Sequence, residues 1–188
     1  KDIYLSPGVS LVFDDLKTDS SASTLLKKQS GTSTDLMFDY SISTDKRDRR
    51  FMPTSGYYTS FSQDIPLYSD QPHIRHGFST SHYKELNEDI IGALKFRASA
   101  VNGIGDDDVK LSQRLYLGTR QLRGFEAGKV GPKDGKDFVG GNYTTSLNLE
   151  ANFPNFFPEK SNAEIGLFLD AGNVWGVDYN DTIDDSNK

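Results

Sequence analysis

From Ile3 to Ala171 the chain alternates apolar and polar residues in short runs, separated by clusters of Gly, Pro, Asp, Asn and Ser. Period-two alternation marks a strand with two unlike faces, and helical spacing is poor almost everywhere. The pattern predicts seven strands, at about 3–14, 34–44, 57–65, 74–83, 90–101, 142–153 and 164–171. In the first, Ile3, Leu5, Val9, Leu11 and Phe13 share a face against Tyr4, Ser6, Gly8 and Ser10. The second sets Leu36, Phe38, Tyr40 and Ile42 against Asp35, Asp39, Ser41 and Ser43, with Met37 as the exception. The fourth alternates less cleanly, and the fifth places Lys95 and Arg97 together opposite Ile90, Leu94, Phe96, Ala98 and Ala100. The sixth is the sharpest, with Tyr143, Thr145, Leu147, Leu149, Ala151 and Phe153 against Asn142, Thr144, Ser146, Asn148, Glu150 and Asn152. The seventh sets Ile165, Leu167, Leu169 and Ala171 against Glu164, Gly166, Phe168 and Asp170. The expected fold is all-β, an antiparallel meander of about seven strands.

Two architectures use such strands. A soluble or surface-anchored β-sandwich turns the apolar face inward, whereas a membrane barrel turns it to lipid and the polar face to the lumen. Alternation alone does not choose between them. Several runs reach 10 residues or more, which leans toward the barrel, since soluble strands cluster near 5 or 6 residues and membrane strands need about 9 to 11. No stretch approaches the roughly 18 apolar residues of a spanning helix, so a helical membrane protein is excluded.

Composition changes this picture little. The 188 residues, 35% hydrophobic with a net charge of -6, would suit many acidic soluble proteins, whereas 12 Phe and 9 Tyr suit the aromatic rims of a barrel. Nucleic acid is excluded as a partner, because the only basic run, Lys46 to Arg50, is too short to meet a phosphate backbone. With no cysteine there are no disulfides or thiolate metal sites. The chain opens on Lys1 without a signal peptide and reads as an internal piece of a longer protein.

Two segments carry a resemblance. Thr44 to Tyr57, TDKRDRRFMPTSGY, is a charged turn in which Pro53 presets φ and Gly56 supplies a conformation other residues resist. Downstream, Leu122-Arg123-Gly124-Phe125 is followed by Gly131-Pro132, by Gly140-Gly141-Asn142 and by Phe168-Leu169-Asp170-Ala171-Gly172-Asn173-Val174-Trp175. In order and spacing these resemble the BamA family of outer-membrane assembly factors, within the bacterial surface antigen superfamily. The likeness runs from about Ile3 to Trp175 and is strongest from Gly118 onward. Leu122 stands where valine is commoner, and Phe125 leans toward BamA rather than its relative TamA.

The resemblance implies strands seven to thirteen of a sixteen-stranded transmembrane barrel, with the loop at about 112–140 folded back into the lumen. It implies a factor of the bacterial cell outer membrane that folds and inserts barrel proteins without ATP, not an enzyme and without a cofactor. Its partners would be client barrel proteins, accessory lipoproteins of an assembly complex and the lipid bilayer. The lateral seam of such a barrel, formed by its first and last strands, would lie outside this chain. A TamA-like or two-partner secretion transporter shares the same motifs.

Parity reaches one site independently. Glu150 and Asp170 both fall on polar faces, and a hairpin centred near Lys160 would set them roughly opposite. Facing carboxylates destabilise a ladder unless a cation joins them. Arg123 suits that task because its planar fork can hold two carboxylates, and Gly124 would let the backbone approach closely. The resemblance assigns the matching arginine to pinning the loop in the lumen through acids on these two strands. The expected lock is Arg123, Gly124, Glu150 and Asp170, with Phe125 as packing.

Other candidates fall away. His73, His76 and His82 do not share one face and have no cysteine to complete a metal set. Gly131 to Asp137 is one residue short of a phosphate loop and has Asp137 where Ser or Thr is required. Asp106-Asp107-Asp108 and the group Asp178, Asp181, Asp184 and Asp185 lack calcium-loop spacing. No nucleophile–base set is spaced for catalysis.

Overall fold

The computed structural model describes residues 3–22, 27–105, 108–154, 156–157 and 165–178. Seven long strands form one antiparallel sheet: β1 Ile3–Leu16, β2 Gly31–Asp45, β3 Gly56–Ser69, β4 His73–Asn87, β5 Ile90–Gly103, β8 Tyr143–Phe153 and β9 Ile165–Trp175. They are ordered β1-β2-β3-β4-β5-β8-β9, so each strand pairs with its neighbour in sequence and the sheet is a pure meander. Between β5 and β8 the described residues hold a 3-10 turn, Leu111–Gln113, and a small hairpin of β6 Lys133–Asp134 and β7 Asp137–Phe138. The Gly131 to Asp137 segment therefore holds the first strand of that hairpin and its turn at Gly135-Lys136.

Most strands outrun the alternation that predicts them. β2 begins at Gly31 rather than 34, β3 continues to Ser69 rather than 65, β4 to Asn87 rather than 83, and β9 to Trp175 rather than 171. Backbone pairing persists where side chains stop alternating, because an unpaired N–H or C=O is costly once buried. Two irregularities absorb the mismatch. Leu36 pairs with Tyr68 while Met37 pairs with Pro66, leaving Leu67 as a bulge. Pro66, which has no N–H to donate, is tolerated at that break. The second bulge, at Leu86, follows the same logic. Asn142 precedes β8 instead of opening it, and the expected first residue of the last strand, Glu164, lies outside the described residues.

At about 3.3 Å per residue, strands of 11 to 15 residues are roughly 36 to 50 Å long. Tilted by about 40° they rise roughly 28 to 38 Å, enough to cross a bilayer's hydrocarbon layer.

Residues opposite one another in a ladder share a face, so the registers sort the whole sheet. One face carries Ser6, Ser10, Asp39, Ser41, Ser60, Ser62, Asp64, Arg75, Ser79, Lys95, Arg97, Ser146, Asn148, Glu150 and Asp170. The other carries Leu5, Val9, Phe38, Ile42, Phe61, Phe78, Phe96, Leu147, Leu149, Leu167 and Leu169. Met37 belongs to the polar face and is buried there beside the bulge.

Burial is inverted relative to a soluble sheet. Ser146 and Asn148 on the polar face are each 1% exposed, whereas Leu5, Val9, Leu167 and Leu169 on the apolar face stand 65 to 67% exposed. Ser6 and Ser10 on β1 stay exposed, whereas the segment between β5 and β8 covers the polar face over β8 and β9. Its Leu117 and Leu122 pack with Val174 and Val130 into the small apolar cluster beneath it. A sandwich would bury the opposite face, so the burial supports a barrel wall with lipid on the apolar side. Aromatics of the outer face stand at both ends of the strands: Tyr143 stacks on Trp175 at 5.8 Å near the long loop, and Tyr57 on His82 at 5.5 Å near the other rim.

The charged turn between β2 and β3 closes as its residues dictate. Arg47 grips Asp45 through Nε and Nη2 at 2.8 and 2.7 Å, and the Asp48 carboxylate accepts from the N–H groups of Thr54 and Ser55. Gly56 adopts φ 91°, and a Cβ there would stand 2.0 Å from the Lys46 carbonyl oxygen, so the chain closes only with glycine.

Candidate functional site

The β5–β8 segment lies across the polar face so that Arg123 meets the wall formed by β8 and β9. Its backbone N–H donates to Asp170 Oδ2 at 2.9 Å, Nε to the same oxygen at 2.7 Å, and Nη2 to Oδ1 at 2.6 Å. Nη1 reaches Glu150 Oε1 at 3.0 Å. One guanidinium thus spans carboxylates on two neighbouring strands, which lysine's single ammonium could not do with the same geometry. The guanidinium carbon also stands 3.9 Å from the centre of the Phe168 ring, a cation–π contact that adds to the ion pairs.

The register differs from expectation by two residues. Asp170 faces Asn148, and Glu150 faces Phe168. The β8–β9 hairpin is centred one residue earlier than Lys160, a shift that preserves parity, so both acids remain on the polar face but stand diagonally. The diagonal opens room between them for the Phe168 ring, which the alternation pattern had placed on that face with no task.

Three further residues complete the arrangement. Lys95 Nζ donates to Glu150 Oε2 at 2.6 Å, so Glu150 is shared by two cations. Asn148 Nδ2 donates to Asp170 Oδ1 at 2.8 Å and to the Gln121 carbonyl at 2.9 Å, tying the loop's backbone to the same wall. Arg97 Nη1 approaches Asn148 Oδ1 at 3.4 Å. The side chain of Asp170 is 4% exposed and that of Glu150 13%, against 30% for Arg123. The anions are the buried partners and the cation arrives from the loop.

Gly124 and Phe125 differ from expectation. Gly124 has φ 83°, and a Cβ built there would meet nothing within 4 Å. Its use is the left-handed turn that carries the chain away from Arg123, and close approach plays no part. Beyond that turn Phe125 emerges 57% exposed, so it does not pack into the site.

A second polar cluster sits at the base of the loop. The Arg114 side chain is fully buried and donates to Asn142 Oδ1 and Asp178 Oδ1. Strand alternation could not reveal it, because Arg114 lies in irregular chain. Of the residues weighed for metal, His73 is buried on the polar face, while His76 and His82 stack on Phe61 and Tyr57 on the other. Asp106, Asp107, Asp181, Asp184 and Asp185 lie outside the described residues.

The chain as a whole is similar to known proteins. The profile of the Omp85 superfamily domain matches residues 1–188. Outer membrane protein assembly factor BamA of Neorickettsia risticii is 26% identical over 182 residues, 94% of this chain and 24% of that protein. The human sorting and assembly machinery component 50 homolog is 27% identical over 167 residues, 84% of this chain and 35% of its own length. The crystal structure of BamA from Haemophilus ducreyi lacking POTRA domains 1–3 superposes with a TM-score of 0.75 at 24% identity, over 93% of this chain and 38% of that one. The chain spans about a quarter of the Neorickettsia protein and about a third of the human one.

Proposed function

The chain belongs to the Omp85 superfamily, and from that premise we propose that its parent protein is a BamA-like assembly factor that folds and inserts β-barrel proteins into an outer membrane. The observation that carries this reading is the inverted sheet: an apolar face left open, and a polar face covered over β8 and β9 by a loop whose Arg123 joins Glu150 and Asp170. Such a protein needs no catalytic residue and no ATP. An unpaired strand edge cannot remain in hydrocarbon, so a client is driven to pair and close, and the factor need only offer a template edge and a disturbed bilayer.

This chain supplies wall and loop to a sixteen-stranded barrel, corresponding to strands seven to thirteen. Arg123, Gly124, Glu150 and Asp170 act as the lock that holds the loop against the inner wall. The host membrane is the bacterial outer membrane, and the partners are client barrels, accessory lipoproteins and lipid. The human relative, named as a sorting and assembly machinery component, supports the same class of work, assembly.

The test is reconstitution of the full-length protein in liposomes with an unfolded outer-membrane barrel as client and no nucleotide. Faster client folding than in empty liposomes supports the reading. No acceleration, together with export of a soluble passenger, would move the protein to the secretion branch of the superfamily.

A further inference from the structure

The loop is fastened at two places, and the second is at its base. Val109 to Leu115 runs across the rim of the sheet and is tied at most of its residues. Lys110 Nζ lies 3.5 Å from Asp35 Oδ1 of β2, and Arg75 of β4 donates through Nη2 to the Gln113 carbonyl at 2.8 Å. Leu115 and Gly141 exchange two backbone hydrogen bonds, at 2.9 and 3.0 Å, which closes the two stems of the loop on each other.

Arg114 sits where these strands of chain converge. Its buried guanidinium donates to Asn142 Oδ1 at 3.1 Å and to Asp178 Oδ1 at 2.5 Å. The other oxygen of Asp178 accepts from the Val109 N–H at 2.9 Å. Asn142 in turn donates its N–H to the Gly176 carbonyl and accepts from the Val101 N–H, both at 2.8 Å. The end of β5, both stems of the loop and the chain beyond β9 are therefore joined through one arginine and one aspartate.

We propose that Arg114 and Asp178 form a base clamp that positions the long loop independently of Arg123, so that a loop released at Arg123 pivots about a fixed stem. The two fastenings share no side chain. The clamp binds the loop to the rim, whereas Arg123 binds it to the inner wall. Arg114 is fully buried where Arg123 is 30% exposed, so loss of a partner at the base would leave a buried charge uncompensated. The pivoting portion is the stretch between the clamped stems, residues 116 to 140.

The test is hydrogen–deuterium exchange on the full-length protein in nanodiscs, with heat-modifiable gel mobility as the check that each variant keeps its barrel. Arg123→Ala should raise exchange at least tenfold in peptides within 118–128 and leave peptides spanning 108–115 and 139–143 within threefold of wild type. Asp178→Asn, milder than removing the buried arginine, should raise exchange at the base at least tenfold, and Asp178→Glu should restore most of the protection. Equal loosening of the base and of residues 118–128 by Arg123→Ala would overturn the proposal, as would an Asp178→Asn base that exchanges like wild type. Failure of Asp178→Glu to differ from Asp178→Asn would reduce the contact to packing and also count against it.

Discussion

Arg123→Lys is the most informative change at the inner wall, because it keeps the charge and removes the fork. In the wild type three guanidinium nitrogens are used, two on Asp170 and one on Glu150, and the plane lies against Phe168. Lysine can satisfy one carboxylate at a time. Two charge-assisted hydrogen bonds are lost, worth about 1.5 to 3 kcal/mol each when buried. Arg123 is 30% exposed, so solvent screening cuts that sum to about 2 kcal/mol. A loss of about 2 kcal/mol is roughly a 30-fold shift in the docking equilibrium of the loop. Arg123→Ala leaves the buried Asp170 with Asn148 as its side-chain donor and should shift docking by about 3 kcal/mol or more. The assay is protease sensitivity of residues 116–140 in the folded full-length protein, timed against heat-modifiable mobility. Loop cleavage should accelerate by about the same factor while the barrel persists. Lysine-variant cleavage within threefold of wild type would refute the reasoning that the fork, and not the charge, holds the loop.

Three further outcomes follow from the same geometry. Asp170→Asn should free the loop more than Glu150→Gln in that protease assay, because Asp170 accepts from Arg123 at three nitrogens and from Asn148, whereas Glu150 meets one nitrogen of Arg123 and one of Lys95. Leu169→Arg, mid-strand on the apolar face, should lower barrel stability in a urea titration by about 2 to 4 kcal/mol, while Ser79→Arg on the polar face should be tolerated. Burial pushes the Asp178 carboxyl up, but the Val109 N–H and the Arg114 guanidinium more than offset it, so its pKa lies below the ordinary carboxylate value. The unfolded chain thus takes up the proton first, and the stabilisation is fully present above the usual range and lost as pH falls through the depressed value. Loop-base exchange, corrected for its intrinsic rate, should stay at its neutral-pH level at pH 5 and rise only in stronger acid.

How much of this was legible in the sequence depended on whether a residue lay on a regular strand. Along Tyr143 to Phe153 alternation fixes the face of every side chain, so Glu150 and Asp170 could be placed together by parity alone. Register could not be read, since a two-residue slip preserves parity and the loop joining β8 to β9 carries no signal of its exact centre. That slip hid the roles of Asn148 and Phe168, although both stood on the correct face. Lys95 was visible on the polar face beside Arg97, but its partner required the pairing of β5 with β8 across a long insertion. Arg114 and Asp178 were out of reach: neither is on a strand, 64 residues separate them, and only the folded path of the loop brings them together. Gly124 was found for the wrong reason, because the sequence marks a need for glycine without saying whether φ or space demands it.

One placement underlies the proposed barrel wall: the apolar face meets lipid and, over β8 and β9, the polar face lies under the loop. It is tested most directly by a single reporter moved along β8 of the full-length protein in bilayers containing brominated lipid, placed in turn at positions 144 to 151. Quenching should alternate, strong at Thr145, Leu147, Leu149 and Ala151 and weak at Thr144, Ser146, Asn148 and Glu150. Quenching at the even positions, or none at any position, would contradict a barrel wall and return the sheet to a soluble sandwich.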